Sequence, residues 1–391
     1  MRLRVLRSGS LSSGSGSRAV VAAAAVAVLL SAGLVSTASV QAAPVGAPPE
    51  RQVGGLPTAR VVPNSRSNPA SWTDRELASE LVLAGVDMGS MAKAQPWARA
   101  GVGGIVLFGS PSRSLGNQIA AIRAASPDGR ILVSSDEEGG SVQRLTRLLG
   151  PLPSARKVGS SMTPAAAREL SSRYGSGMRR LGVNVSLAPV ADVGIRRSYI
   201  YGEGRAFSTD PSRVATFATA WMAGLSDSSV MSVAKHWPGH GSAANTHVGS
   251  GRTPRWSQML VRDEVPFRAA FAAGVPAVMV GHLIVPGLTE PGTPATMSKR
   301  AMAYLRKAAG SDTLIITDAL TMGAVTTAMH QTAEQAAVRS LIAGCDFALI
   351  NTGNPMKAVR AIERAIRQGR LPRDQAIASA GRVLSAQTRW Q

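Results

Sequence analysis

Residues 232–241 read Ser-Val-Ala-Lys-His-Trp-Pro-Gly-His-Gly. The stretch starts as a buried strand, meets Lys235 and His236 near its end, and is turned into a loop by Pro238, Gly239 and Gly241. Burying a lysine is unfavourable unless the ammonium is paired, so Lys235 reads as a ligand contact or, less favoured, a structural ion pair. Seven other short apolar runs surround this one: Leu83–Met88, Gly104–Phe108, Ile131–Ser135, Val183–Pro189, Ala277–His282, Leu314–Asp318 and Phe347–Asn351. Between the runs the apolar spacing is helical, over Leu115–Ala125, Pro164–Leu181, Pro211–Leu225, Trp256–Ala273, Lys299–Ala309, Ala333–Ala343 and Pro355–Gln368. Strands alternating with helices pair in parallel, and eight such units predict an α/β fold of the (β/α)8, TIM-like barrel type. An open doubly wound sheet is the rival. It normally carries a glycine-rich turn after its first strand, whereas Gly101-Val-Gly-Gly104 precedes a strand here.

A barrel of this kind places its chemistry at the C-terminal ends of the strands. Asp136 follows the third run, Asp192 the fourth, Lys235 and His236 end the fifth, His282 closes the sixth and Asp318 the seventh. Four of the five histidines, His236, His240, His247 and His282, fall in these places, which scattered surface histidines would not do. Asp136 in Asp136-Glu-Glu-Gly-Gly140 is read equally well as an acceptor for sugar hydroxyls or as an acidic turn. The loop after Trp237 carries His240 and His247, and a histidine on a loop over a barrel mouth suits general acid–base work. Three histidines, His236, His240 and His247, also raise a zinc reading, but their spacing fits no compact zinc signature and Lys235 would oppose the cation. Asp318 either caps the next helix or attacks an anomeric carbon, as the nucleophile of a retaining glycosidase does. No second carboxylate stands in a comparable position, so His247 is the candidate proton donor.

The chain has 391 residues with 45% hydrophobic content, enough for a large core and incompatible with wholesale disorder. One cysteine, Cys345, excludes an intramolecular disulfide and a cysteine-based zinc site. Arg2, Arg4, Arg7 and Arg18 precede or open the apolar run Ala19–Val35, and Val40-Gln-Ala42 offers a cleavage site, so residues 1–42 read as a secretory signal peptide, with an uncleaved anchor as the alternative. Residues 43–71 read as a disordered linker rich in Pro, Ser and Gly, and residues 72–391 as a single catalytic domain. The expected location is secreted or attached to the cell envelope. Loss of the four leader arginines takes the net charge from +20 to +16. For an exported chain this fits anionic cell-envelope polymers best, ahead of a merely solvated surface; nucleic acid is not expected, because aromatic residues for base stacking are only 4%.

The motifs taken together resemble glycoside hydrolase family 3, in its single-barrel β-N-acetylglucosaminidase (NagZ-like) branch. The family pattern Asp-x-Glu-Gly-Gly-x-Val-x-Arg-Leu matches Asp136–Leu145, Asn-x-x-x-Ala-Pro-Val-x-Asp-Val matches Asn184–Val193, and Arg-x-Phe matches Arg205 and Phe207. Lys-His-Phe-Pro-Gly-His-Gly matches Lys235–Gly241 with Trp237 for Phe, and Ser-Asp-x-Leu-x-Met matches Thr317–Met322 with Thr317 for Ser. The resemblance covers nearly all of residues 72–391. It implies Asp318 as nucleophile, His247 as acid/base, Asp136, Arg205, Lys235 and His236 as the groups that hold a terminal N-acetylglucosamine, and Asn245, His282 and Asp192 in support. The implied enzyme is a retaining β-N-acetylhexosaminidase acting on peptidoglycan fragments (muropeptides) or related glycans, needing no metal or organic cofactor, and a monomer is expected.

One departure bears on the mechanism. The branch usually has an Asp-Ser pair before the acid/base histidine, and here Asn245-Thr246 precede His247. An amide brings no negative charge to raise the imidazole pKa, so an attenuated proton donor is expected. The same change keeps open a silent glycan-binding relative and a phosphorolytic variant; a metal-dependent hydrolase is the remaining alternative. Gly323, Ala324 and Ser141 also depart from the commoner pattern, with no consequence legible in the sequence.

Overall fold

The computed structural model describes residues 65–391. The expected signal peptide and residues 43–64 of the expected linker lie outside the described residues. Ser65–Ser67 and Pro69–Ser71, which the sequence assigns to the linker, form two 3-10 turns; the Arg66 guanidinium lies over the Trp72 ring and 3.9 Å from Glu80. Among the described residues no helix is long and apolar enough to cross a membrane.

Eight parallel strands form one sheet: β1 (Val82–Asp87), β2 (Gly104–Phe108), β3 (Leu132–Ser135), β4 (Val185–Ser186), β5 (Met231–Trp237), β6 (Ala277–Val280), β7 (Leu314–Thr317) and β8 (Ala348–Ile350). Their spatial order is β7-β6-β5-β4-β3-β2-β1-β8. The remaining seam, β7 against β8, closes through the Ile316–Phe347 bridge and two bonds at Thr317, whose N–H donates to Phe347 O (3.0 Å) and whose hydroxyl accepts from Leu349 N–H (3.0 Å). The Thr317 hydroxyl thus keeps the hydrogen-bonding capacity of the family's serine. The barrel predicted from the sequence is therefore the fold.

All eight predicted runs contain a strand, and each is buried on both faces, which is why they read as nearly continuous apolar segments. Leu83, Val106, Leu132, Val233, Met279, Ile316 and Leu349 fill the barrel interior; Ile105, Val133, Val278 and Ile315 face the helices outside. The run Val183–Pro189 is regular only at Val185–Ser186, since Pro189 has no N–H to extend the ladder.

The surrounding helices are α1 (Leu115–Ala125), α2 (Pro164–Arg180), α3 (Pro211–Asp227), α4 (Glu264–Ala272), α5 (Lys299–Ala309), α6 (Ala333–Ala343), α7 (Pro355–Arg367) and α8 (Arg373–Trp390). Thr163, Asp210 and Asn354 cap α2, α3 and α7, each followed by a proline at the first helical position, so the start of each helix is written locally. The predicted helix Trp256–Ala273 divides into Trp256–Met259 and α4, because Pro266 lacks the donor that a continuous helix would need there. Helix α8 was not anticipated. Its buried face, Ala376, Ala380, Val383, Leu384, Gln387 and Trp390, closes the barrel end opposite the strand C-termini: Gln387 donates to Gly103 O, and Asn184 donates to Trp390 O. Asn184 also accepts the Val133 N–H, so the first residue of its motif holds the barrel floor.

Candidate active site

After β3 the chain makes a short antiparallel hairpin, Glu137–Gly139 with Val142–Gln143. Gly139 sits at φ 87°, and a Cβ there would lie 2.2 Å from Pro153 O, so only glycine lets the hairpin fold back this tightly. The hairpin presents Asp136 and Glu138 to the mouth and turns Glu137 inward. Glu137 accepts from Ser135 Oγ (2.6 Å), Tyr174 Oη (2.8 Å) and the Leu145 N–H (3.1 Å); burial pushes its carboxyl up to about 7 against these bonds.

Lys235 Nζ lies 2.7 Å from both Asp136 Oδ1 and Glu138 Oε1. The structural ion pair, the less favoured of the two readings of this lysine, is thus present, on a residue that also lines the mouth. Arg205 clasps Glu138 with both arms, Nε to Oε2 at 2.7 Å and Nη2 to Oε1 at 2.9 Å. Burial pushes the Glu138 carboxyl up, but Lys235 and Arg205 outweigh it and hold the group far below the usual carboxylate range. Burial pushes the Lys235 ammonium down, and Asp136 and Glu138 more than offset it. Glu138 is the hub of this network and was missed as a site residue, although its motif contains it. Carboxylates in a strand-end turn look alike in sequence; only the pairing singles one out.

Pairing of β5 with β6 shifts register between Ala234 and Trp237, which breaks the strict alternation of faces, and Lys235 and His236 line the same cavity. His236 Nδ1 lies 2.8 Å from Asp192 Oδ2, and Asp192 Oδ1 accepts the main-chain N–H groups of His236 and His240. Asp192 is fully buried and does not line the cavity; it bonds the His236 ring and the main chain of both His236 and His240. His240 Nε2 lies 3.0 Å from Thr246 Oγ1, and burial pushes its imidazole down to about 4. Trp237, in place of the family's Phe, is completely buried; its indole N–H donates to Glu264 Oε2 (3.0 Å), and its ring stacks on Tyr304. The extra polar atom of the larger ring is satisfied.

Asp318 ends β7. Its Oδ1 accepts the Ala319 N–H at 2.8 Å. Burial pushes its carboxyl up, and the charges of His236 and His282, the Ala319 N–H and Lys235 reverse that to hold it below its ordinary value. His282 is buried beneath the same turn, with Nε2 donating to Ala319 O (3.1 Å) and Nδ1 2.9 Å from Thr296 Oγ1. That pairing engages both ring nitrogens of His282, one of them on the main chain of the residue that follows Asp318.

His247 is exposed on the loop after β5. Its loop rests on the turn that follows Asp318: Gly323 N–H donates to His247 O and Ala324 N–H to Thr246 O, both at 3.0 Å. A Cβ on Gly323 would stand 2.6 Å from His247 O, so the departure at 323 is what allows the two loops to touch. Asn245 Oδ1 accepts the main-chain N–H of His247 (3.0 Å), closing a local turn, and is engaged with the backbone instead of the imidazole. Although its surface is exposed, partial desolvation by the surrounding groups lowers the His247 imidazole; Asp318 pulls it up, Arg205 and His236 push it down, and it ends below its ordinary value.

The cavity has a volume of about 250 Å³ and brings together Asp136, Arg205, Lys235, His236, His247 and Asp318. Of the predicted site residues, Asp192, His282 and Asn245 stand behind this lining. Among the described residues, no three His, Cys, Asp or Glu side chains converge in a way that would hold a metal ion. The arrangement offers an ionised carboxylate, an imidazole on an adjoining loop and a bed of paired charges able to orient hydroxyl and amide groups.

Residues 75–386 match the family described as the glycosyl hydrolase family 3 N-terminal domain. The chain is 35% identical over 330 residues to the β-hexosaminidase LpqI of Mycobacterium tuberculosis, covering 81% of this chain and 84% of that protein. A crystal structure of a family 3 glycosyl hydrolase from Mycobacterium smegmatis superposes with a TM-score of 0.75 at 33% identity, covering 82% of this chain and 98% of the other. A family 3 β-N-acetylglucosaminidase from a Paenibacillus species gives a TM-score of 0.75 at 27% identity, covering 81% and 62%.

Proposed function

This chain belongs to glycosyl hydrolase family 3 and is a β-hexosaminidase, and we propose that it removes terminal β-linked N-acetylglucosamine by a retaining mechanism in which Asp318 is the nucleophile and His247 the acid/base. The observation that carries this reading is the position of Asp318: an ionised carboxylate directly after β7, its Oδ1 accepting the Ala319 N–H, in one cavity with His247. In the first half-reaction an Asp318 oxygen bonds to C1 while the bond from C1 to the leaving oxygen breaks, and His247 passes its proton to that oxygen. In the second, His247 takes a proton from water as the water oxygen attacks C1 and Asp318 departs. Asp136, Arg205, Lys235 and His236 hold the sugar through charge-assisted bonds, and their pairing with one another, with Glu138 and with Asp192 fixes them before substrate arrives.

The substrate class in this proposal is peptidoglycan fragments or related glycans, and the site of action lies outside the cytoplasm, on the strength of the leader-like residues 1–42. Trapping with a 2-fluoro or slow glycosyl substrate, followed by peptide mapping, tests the mechanism. Label on Asp318 is expected; label on any other residue overturns it.

One observation favours a second reading, a glycan-binding relative with attenuated turnover: no carboxylate accompanies the imidazole from its own loop, and His247 is held below its ordinary pKa. Sugar binding without release of an aryl leaving group would distinguish that relative. Formation of sugar 1-phosphate in phosphate buffer would identify phosphate, and not water, as the acceptor.

A further inference from the structure

We propose that the groove on the barrel flank between α6 and α7 is a second binding site, for an extended polymer of phosphate groups. The groove has a volume of about 870 Å³, against about 250 Å³ for the catalytic cavity. Arg339 on α6, Lys357, Arg360 and Arg364 on α7, and Arg370 beyond α7 line it, with Glu334 as the one acidic residue in its walls. Residues 357, 360 and 364 are spaced three and four apart, so they share one face of α7 and spread their charge over about 10 Å of its axis. All five cations are exposed, and none has a carboxylate within the 4.0 Å of an ion pair, whereas Arg75 and Arg373, on elements packed against α7, each have one. Five unpaired like charges along one groove repel one another, and an anion lying along it removes that repulsion.

The chemistry selects the occupant. The walls hold no buried polar side chain that would fix a single small anion, and one exposed arginine contributes little by itself, so affinity requires a ligand that engages several at once. Guanidinium forks match phosphate oxygens in pairs. No Phe, Tyr or Trp lines the groove to stack a base, which disfavours nucleic acid. Among the described residues the exposed large hydrophobics are Val248 and Val261, neither of them in the groove, which leaves nothing to insert into a membrane. His330 and Thr332 begin the groove on the connection that also carries Asp318, so a bound chain leads toward the catalytic rim. The polymer would tether the enzyme and leave the chemistry of the mouth untouched.

The test uses the full chain and long-chain inorganic polyphosphate labelled for fluorescence anisotropy, across a salt series. The double variant Arg360→Gln/Arg364→Gln should bind roughly tenfold or more weakly, with the slope of log affinity against log salt reduced by roughly two. The charge-matched variant Arg168→Gln/Arg173→Gln, on α2, should change affinity by less than about twofold. Release of an aryl N-acetylglucosaminide should be the same in all three proteins. An equal loss in the α2 variant would reduce the effect to net charge and overturn the proposal. Tighter binding of single-stranded DNA or of phosphatidylglycerol vesicles through Arg360 and Arg364 would overturn the assigned occupant, as would orthophosphate competing at equal phosphate concentration.

Discussion

The two sides of the catalytic cavity are built differently. On the side of β3 to β5, Asp136, Glu138, Arg205 and Lys235 interlock through ion pairs of 2.7 Å, and Asp192 fixes His236 from behind. On the other side, Asp318 directly follows β7, but His247 is exposed and its loop is seated by two main-chain hydrogen bonds and a missing Cβ at Gly323. The half proposed to hold the sugar is set by buried charge whose disruption costs stability. The half proposed to transfer the proton is set by loop contacts whose disruption costs rate. Substitutions on the two sides should therefore fail in different assays.

Asp318→Asn should give the largest effect, a fall in kcat on the order of 10⁴-fold, with N-acetylglucosamine binding measured by calorimetry kept within a few-fold. Loss of binding together with turnover would erase the division between the halves. Glu138→Gln should come next, and chiefly in stability. It leaves the buried Lys235 and Arg205 short of a counter-charge, at about 3–5 kcal/mol in chemical denaturation, with a raised KM. The folded pKa of Glu138 is depressed, so its contribution is present above its unfolded value, near 4.5, and is lost only as pH falls through the lower folded value. The deficit of the variant should accordingly be constant from pH 5 to 8 and shrink only in stronger acid.

Gly323→Ala tests the other half. The added methyl pushes against the His247 carbonyl, and kcat on an alkyl glycoside should fall roughly 10- to 100-fold. A dinitrophenyl glycoside, which needs no proton at its leaving oxygen, should be nearly unaffected; an equal loss on both substrates would mean that the methyl damages more than the position of His247. Asn245→Asp should act in the opposite direction, because a new carboxylate beside His247 favours the protonated ring. Since Asp318 is held below and His247 below their ordinary values, the wild type should work best on poor leaving groups at pH below 6.5, losing rate as pH rises through the His247 pKa. The variant should move that alkaline limb upward and run roughly 3- to 10-fold faster at neutral pH. An unmoved limb would detach the limb from His247. The smallest effect belongs to chelation: EDTA should leave turnover of the aryl substrate unchanged, and a loss restored by zinc would revive the three-histidine reading and tie the two halves together through a metal.

Much of this was legible in the chain. Continuous apolar runs marked the strands because parallel barrel strands are covered on both faces, and a polar cap followed by proline marked the starts of α2, α3 and α7. Polar residues interrupting those runs marked the mouth, since a charge at the end of a buried strand needs a reason to be there. Helix α8 was obscured by its polar composition, because its small buried face is apolar only when the barrel floor is there to meet it.

Local sequence thus determined the elements and the ends at which chemistry gathers, because periodicity, caps and turns act within a few residues. It did not determine which of Asp136, Glu137 and Glu138 would be the hub, or that Gly323 would be a seat for His247. Those outcomes depend on distances between residues 30 to 100 positions apart, such as Lys235 with Asp136 and His247 with Gly323. An ion pair or a close approach across such a separation has no local signature, and closure of the barrel alone brings the partners together.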